Sequence, residues 1–361
     1  MKTTLIGALL VSTIAAGAAW AQDNTGVTIV LSEELELIDP CMSSQSNIGR
    51  VLLGNISETL TVYEPATATL KPVLAEAWEE TQPGTWRFKL RQGVSFSDGT
   101  DFKARDVIHS LERTISDKMT CEIGGKYFGG FKITATEVDA YTVDITTDPA
   151  QPILPLLMSS LTIVPEETAM EMVQTPIGTG PYEMTERNIG QNIVLTRRDG
   201  YWGDMPTVTK ATYVFRSDSA VRAAMVEVGE ADIAPVISEL DATNPETDFS
   251  YPNSETTYLR VDHATAPLND RRVREAMNLA IDRDAFIGTL VAKDAQKATA
   301  VVPPTTLGYN KDLKPYAFDP ERAKQLLAEA KADGVPVDTE ILIVGRIGLF
   351  PNDTEVLEAM G

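Results

Sequence analysis

Few residues in this chain of 361 are of types that do covalent or metal chemistry, and their spacing argues against most of it. The two histidines, His109 and His263, lie far apart, and neither has another histidine or a cysteine at metal-ligand spacing, so no metal site is expected of them. His109 falls within a helical pattern and reads as a packing residue. No G-x-S-x-G elbow, H-E-x-x-H helix or local cysteine and histidine frame occurs, which disfavours a hydrolase; no enzymatic activity is expected. Acidic pairs are abundant, with 52 Asp and Glu against 31 Lys and Arg, so no single pair points to acid–base work. The run GGKYFGG, Gly124 to Gly130, lacks the spacing and the trailing Ser or Thr of a phosphate loop. It reads as a flexible aromatic loop facing a cleft, with Tyr127 as its candidate contact. No cofactor is expected.

The elements that position such residues are clearest between Ile177 and Pro235. Gly178, Gly180 and Pro181 prescribe a tight bend. Ile193 and Leu195, then Ala211, Tyr213 and Phe215, keep the two-residue period of half-buried strands. Ser217 and Asp218 supply a helix cap, Val221, Met225 and Val228 share one face, and Gly229 stands at the C-terminal cap before a strand opening at Asp232 and Ile233. Strand, helix and strand with short connections are the unit of a helix-covered sheet.

Elsewhere, Val27, Ile29 and Leu31 predict the first strand, and Asp39-Pro40 a turn. Ile48 to Thr61 predicts a helix burying Val51, Leu52, Ile56 and Leu60. Trp86, Phe88 and Leu90 alternate with Arg87, Lys89 and Arg91, a strand with one dry face. Lys103 to Ile115 predicts a helix with the stripe Val107, Leu111, Ile115, and Tyr141, Val143 and Ile145 a further strand. Tyr258, Leu259 and Val261 predict a strand, Asp270 caps a helix with Val273, Met277, Ala280 and Ile281, and Asp319-Pro320 opens another. Ile341 to Val344 predicts a strand and Thr354 begins a final helix.

The first residues, MKTTLIGALLVSTIAAGAAWAQ, carry one charge at Lys2, a short apolar run and small residues at Ala19 and Ala21, the pattern of a cleavable secretory leader over residues 1–21. Losing Lys2 with it takes the formal charge from −21 to −22. Such acidity argues against nucleic acid and anionic membrane surfaces as partners. An exported chain with two cysteines predicts a Cys41–Cys121 disulfide, with two buried thiols as the alternative.

The ordered segments GTGPY, RRDGYWG and a helix closing in GEADIA resemble the family 5 solute-binding proteins of ABC importers, the peptide/nickel/dipeptide-binding group. LAEAWEETQPGTWRFKLRQGVSFSDGTDFKARDVIHSLER and ETTYLRVDHATAPLNDRRVREAMNLAIDRDAFI are similar to it as well. The resemblance implies an α/β, two-lobed periplasmic-binding-protein-like fold of class II, with an extra strand-rich subdomain in lobe I. Residues 22–56 and 166–254 would form lobe I, 57–165 the insertion, and 255–361 lobe II, with a crossover hinge near Asn253 to Glu255. Family members continue beyond this point, so lobe II is expected to be truncated and the residues gripping peptide termini to lie outside the sequence.

The same resemblance implies that the loop after Asp39-Pro40, with Met42, Ser43 and Ser44, lines a ligand cleft; a surface loop pinned by Cys41 is the bland alternative. Tyr258 and Arg260 are cleft candidates, against a core aromatic and a surface arginine. His263 stands where the family commonly has asparagine. The implied function is a monomeric periplasmic binding component that closes on a peptide or similar small solute and delivers it to an ABC permease and ATPase complex. A nickel or metallophore binder and a chemoreceptor-coupled solute sensor are the alternatives.

Overall fold

The computed structural model describes residues 25–251, 253, 255–304, 306, 308–345 and 350–361. The predicted leader lies outside these residues. In chain order the elements are β1 Gly26–Leu31, α1 Ser46–Leu52, β2 Thr61–Glu64, β3 Thr69–Pro72, β4 Ala75–Gln82, β5 Thr85–Leu90, α2 Ala104–Ile115 and α3 Glu122–Tyr127. Then follow β6 Lys132–Asp139, β7 Thr142–Asp148, α4 Leu154–Leu157, β8 Tyr182–Asn188, β9 Asn192–Arg197, β10 Lys210–Phe215, α5 Ser219–Glu227, α6 Arg271–Ala280, α7 Pro320–Ala332 and α8 Asp353–Met360.

Strand β1 pairs in parallel with β10, Val27 opposite Ala211 and Ile29 opposite Tyr213, and β10, β9 and β8 continue the sheet antiparallel. The alternation seen in the sequence sends Leu31, Ile193, Leu195, Ala211 and Tyr213 to one side, where Ile48, Val51 and Leu52 of α1 meet them in a single core. A parallel pair needs a crossover, and here the crossover carries a whole insertion. Its antiparallel sheet, ordered β4-β5-β7-β6, buries Phe88, Leu90, Val143 and Ile145 against Val107 and Leu111 of α2 in a second core. Each such side chain contributes about 1.5–3 kcal/mol when fully buried.

Beyond residue 251, α6 and α7 pack on each other through Ala276, Ala323 and Leu326, a third and smaller core that shares no residue with the other two. Asp270 and Asp319 accept hydrogen bonds from Arg272 N (2.7 Å) and Arg322 N (2.9 Å), so both predicted caps are formed.

Several expectations need correction. The helix from Ile48 ends at Leu52 rather than Thr61: Gly54 takes φ +70°, and the Leu52 carbonyl accepts from Ile56 N and Ser57 N, turning the chain while Ile56 and Leu60 stay buried. The glycine-rich run is not a loop at its start. It contributes to α3, because Gly124 lies where a Cβ would stand 2.1 Å from the Thr114 carbonyl and lets that turn seat on α2. Asp232 and Ile233 make only a bridge to β1, with Val30 N bonded to the Ile233 carbonyl at 2.9 Å.

Helix α5 has its predicted caps, Asp218 and Gly229 at φ +76°. Its burial is the reverse of its pattern: Arg222 is buried while Val221 and Val228 are 45% and 69% exposed. Tyr258–Val261 and Ile341–Val344 form no strand among the described residues, and Leu342 and Val344 are more than four-fifths exposed. An apolar alternating run becomes a strand only when a neighbour accepts its backbone groups, and none does among the described residues.

Candidate functional site

The loop expected to line a cleft is anchored from beneath. Asp39, fully buried, accepts from Cys41 N (2.9 Å) and Val173 N (2.8 Å), and its carboxylate is gripped by both terminal nitrogens of Arg113 at 2.9 and 2.6 Å. Arg113, itself buried, also donates to the Ala169 carbonyl at 2.8 Å and to that of Glu171. A buried pair held by this many hydrogen bonds fixes geometry even where it adds little net stability. Cys41 is disulfide-bonded to Cys121 at the start of α3, with Cα atoms 5.2 Å apart.

On this base Met42 and Ser43 are buried, in the core behind β9 and β10 or against it, and the Ser44 hydroxyl is enclosed without a hydrogen-bond partner. Tyr127 ends α3, half-buried against the insertion core, with the Lys126 ammonium 5.8 Å from its ring centroid. Tyr258 and Arg260 lie in the stretch before α6; Tyr258 is 60% exposed, and Arg260 is exposed. The structure thus brings the Met42–Ser44 loop onto α3, and no hydrogen bond joins Tyr258 or Arg260 to that loop among the described residues.

Sequence reasoning missed the network that the glycine and aromatic motifs build. Glu58, buried at the root of the insertion, accepts from Thr179 Oγ1 and Trp202 Nε1 on one oxygen and from the Tyr201 hydroxyl on the other, each at 2.8 Å. Burial raises the Glu58 carboxyl above its ordinary range, and the three donors with nearby Arg198 pull it back. Burial, aided by the Glu58 charge, pushes the Tyr201 phenol up.

Arg198 spends its guanidinium on the carbonyls of Gly180, Phe96, Ser95 and Thr179, at 2.6–3.1 Å, and the Arg91 guanidinium stacks 4.4 Å above the Trp202 ring. Gly178 and Gly180 are required by approach rather than by the bend alone: added Cβ atoms would fall 1.9 Å from the Ile56 carbonyl and 2.2 Å from that of Asn55. GTGPY and RRDGYWG are therefore two halves of one clasp closing the insertion onto the first sheet. No sequence signal marks Glu58, which sits in the mostly polar run NISETL.

Away from the clasp, an apolar cavity of about 450 Å³ opens beside α6 between Leu259, Met277, Ile281, Phe286, Phe318 and Met360. His109 donates from Nε2 to the Thr168 carbonyl at 2.7 Å, a packing contact. Among the described residues no three His, Cys, Asp or Glu side chains are grouped to hold a metal ion.

Residues 69–353 match the family model described as bacterial extracellular solute-binding proteins, family 5 Middle. This chain belongs to that family. Family 5 members are solute-binding proteins, and similar ones include the dipeptide-binding protein of Escherichia coli K12, 31% identical over 80% of this chain and 60% of that one. The nickel-binding periplasmic protein of the same strain is 29% identical over 82% of this chain and 63% of that one. The ABC transporter-associated periplasmic binding protein DppA of Helicobacter pylori, solved with peptide STSA, superposes with a TM-score of 0.68 at 25% identity, over 84% of this chain and 66% of that one. The family 5 fold is thus the α/β periplasmic-binding-protein fold expected from the sequence, and this chain spans about 60% of the length of the curated relatives it matches.

Proposed function

We propose that this chain captures a peptide or similar small solute in the periplasm and presents it to an ABC permease and ATPase complex, acting as a monomer and leaving the solute chemically unchanged. The observation that carries the reading is the family 5 match across residues 69–353, in a chain whose buried apolar residues form three separate clusters. The residues 1–21 leader would export it, and the Cys41–Cys121 bridge suits an oxidising compartment. Lobe I would comprise residues 22–254 with its insertion at 57–165, and lobe II residues 255–361. Met42, Ser43, Ser44 and Tyr127 on one side, with Tyr258 and Arg260 on the other, are the proposed contacts. Solute would draw the lobes together only as far as it prefers the closed form.

Nickel capture is the second reading, favoured by the 29% identity to a nickel-binding relative. The metal would arrive as a preformed chelate, since the described residues offer no ligand cluster. Native mass spectrometry of protein purified from periplasm, followed by calorimetry against dipeptides and nickel–histidine, separates the two. A peptide mass adduct with dipeptide heat supports the first reading, and a nickel adduct the second. No adduct and no heat with either ligand sinks both.

A further inference from the structure

We propose that Val236–Glu239 is the coupling that sets how the second unit sits on the first, with Arg222 as its positioning residue. Val236 has φ +58°, a left-handed conformation that a β-branched residue adopts only when its surroundings impose it. The imposing group is Arg222, 3% exposed, whose guanidinium donates to the Val236 carbonyl at 2.9 Å and to the Arg216 and Ser217 carbonyls at 2.9 and 2.7 Å. This explains why α5 buries its arginine and leaves its valines outside.

Two residues on, Ser238 faces both units. Its N–H donates to Ser219 Oγ at the start of α5 (2.9 Å), and its hydroxyl donates to Asn352 Oδ1 at the start of α8 (3.2 Å). Asn352 passes the link inward by donating from Nδ2 to the Leu290 carbonyl at 3.0 Å. Beside it the Glu239 carboxylate accepts from Lys293 N at 3.4 Å. Asn352 is also left-handed, at φ +62°, so two of the three non-glycine residues with positive φ among the described residues flank this one hydrogen bond. Ser250 Oγ and the Asp294 carboxylate add a further link, but only the Ser238–Asn352 link adjoins a β-branched residue held in an uncommon backbone well; Val236 must leave that well for this link to move, which makes the relative placement of the units discrete rather than continuously variable. The coupling lies upstream of the crossover expected near Asn253 to Glu255.

The test needs no solute, so its outcome does not depend on what the protein binds. Spin labels on Ile189→Cys and Leu342→Cys, both highly exposed, report the distance between the units by pulsed electron resonance; both native cysteines are occupied by their disulfide. Val236→Gly, which frees the backbone, and Ser238→Ala, which removes the link, are expected to widen the distance distribution at least about twofold. Val236→Asn, which tolerates the left-handed well, is expected to keep the parent width. Any other pattern overturns the proposal, including widening by Asn253→Gly alone.

Discussion

Burying a carboxylate beside Tyr201 and Trp202 costs desolvation, and three donors at 2.8 Å offset it only while all are present. Glu58→Gln loses one acceptor and turns an amide N–H toward a donor. It is expected to destabilise the chain by about 1–3 kcal/mol in urea unfolding, whereas Trp202→Tyr, which also keeps a donor, should cost less than Trp202→Phe. At Asp106 burial raises the carboxyl as well. Buried at the start of α2, it accepts from Lys103 N and Glu166 N at 2.7 and 2.9 Å, yet burial pushes its carboxyl from 3.8 up to about 6. The folded chain therefore holds this proton more tightly than the unfolded one, so the site contributes stability below pH 4 that fades as pH rises through 6. The stability difference between the parent and Asp106→Asn should grow by up to about 3 kcal/mol on going from pH 7 to pH 4. A flat difference across that range would refute it. Neither residue announced itself in the sequence as a buried acid, because burial of a single carboxylate is decided by segments far along the chain: Thr179, Tyr201 and Trp202 for one, Glu166 for the other.

Helices with an aspartate cap were legible, whereas the end of α1 and the existence of α3, which lack a side-chain cap bond, were not, and strands were only partly so. A cap such as Asp218, Asp270 or Asp319 and its N–H partner lie within three residues, so the local sequence contains the whole interaction. A strand needs a partner elsewhere, which is why β1, β9 and β10 formed as read while Tyr258–Val261 and Ile341–Val344 did not. The adjacent glycines of α3 give a sharp test of what packing adds to pattern. Gly124→Ala would drive a Cβ into the Thr114 carbonyl and should lower the melting temperature, at a cost of about 1–3 kcal/mol. Gly125→Ala meets nothing within 4 Å and should stabilise the helix by about 0.5–1 kcal/mol. The bridge from Cys41 to Cys121, 80 positions apart, constrains the unfolded chain most, and its reduction is expected to cost at most about 4.5 kcal/mol by chemical denaturation. The sequence pointed to this pairing through cysteine count and export, and to Asp39 only as a turn residue, whereas the Asp39–Arg113 pair is what the turn is built upon.

For the molecule as a whole, the three cores differ in scale, and the smallest lies where large apolar side chains remain in water. Leu342, Val344, Tyr258, Phe249 and Tyr251 are each at least 60% exposed, and the apolar cavity lies beside α6. The native chain is therefore expected to bind the dye ANS before any unfolding transition; a cooperative melt without dye fluorescence in the folded baseline would contradict this. Family and fold class were readable from motif order. The division into lobes was an expectation carried by the family resemblance, and the hydrogen bond between Ser238 and Asn352 was not legible at all, since neither residue carries a pattern of its own. The parallel register of Gly26 with Lys210 has one more consequence. The strand synthesised first cannot find its neighbour until β10 has emerged, so β1 must wait through the making of the entire insertion, and the first sheet can close only after that insertion has had time to fold on its own.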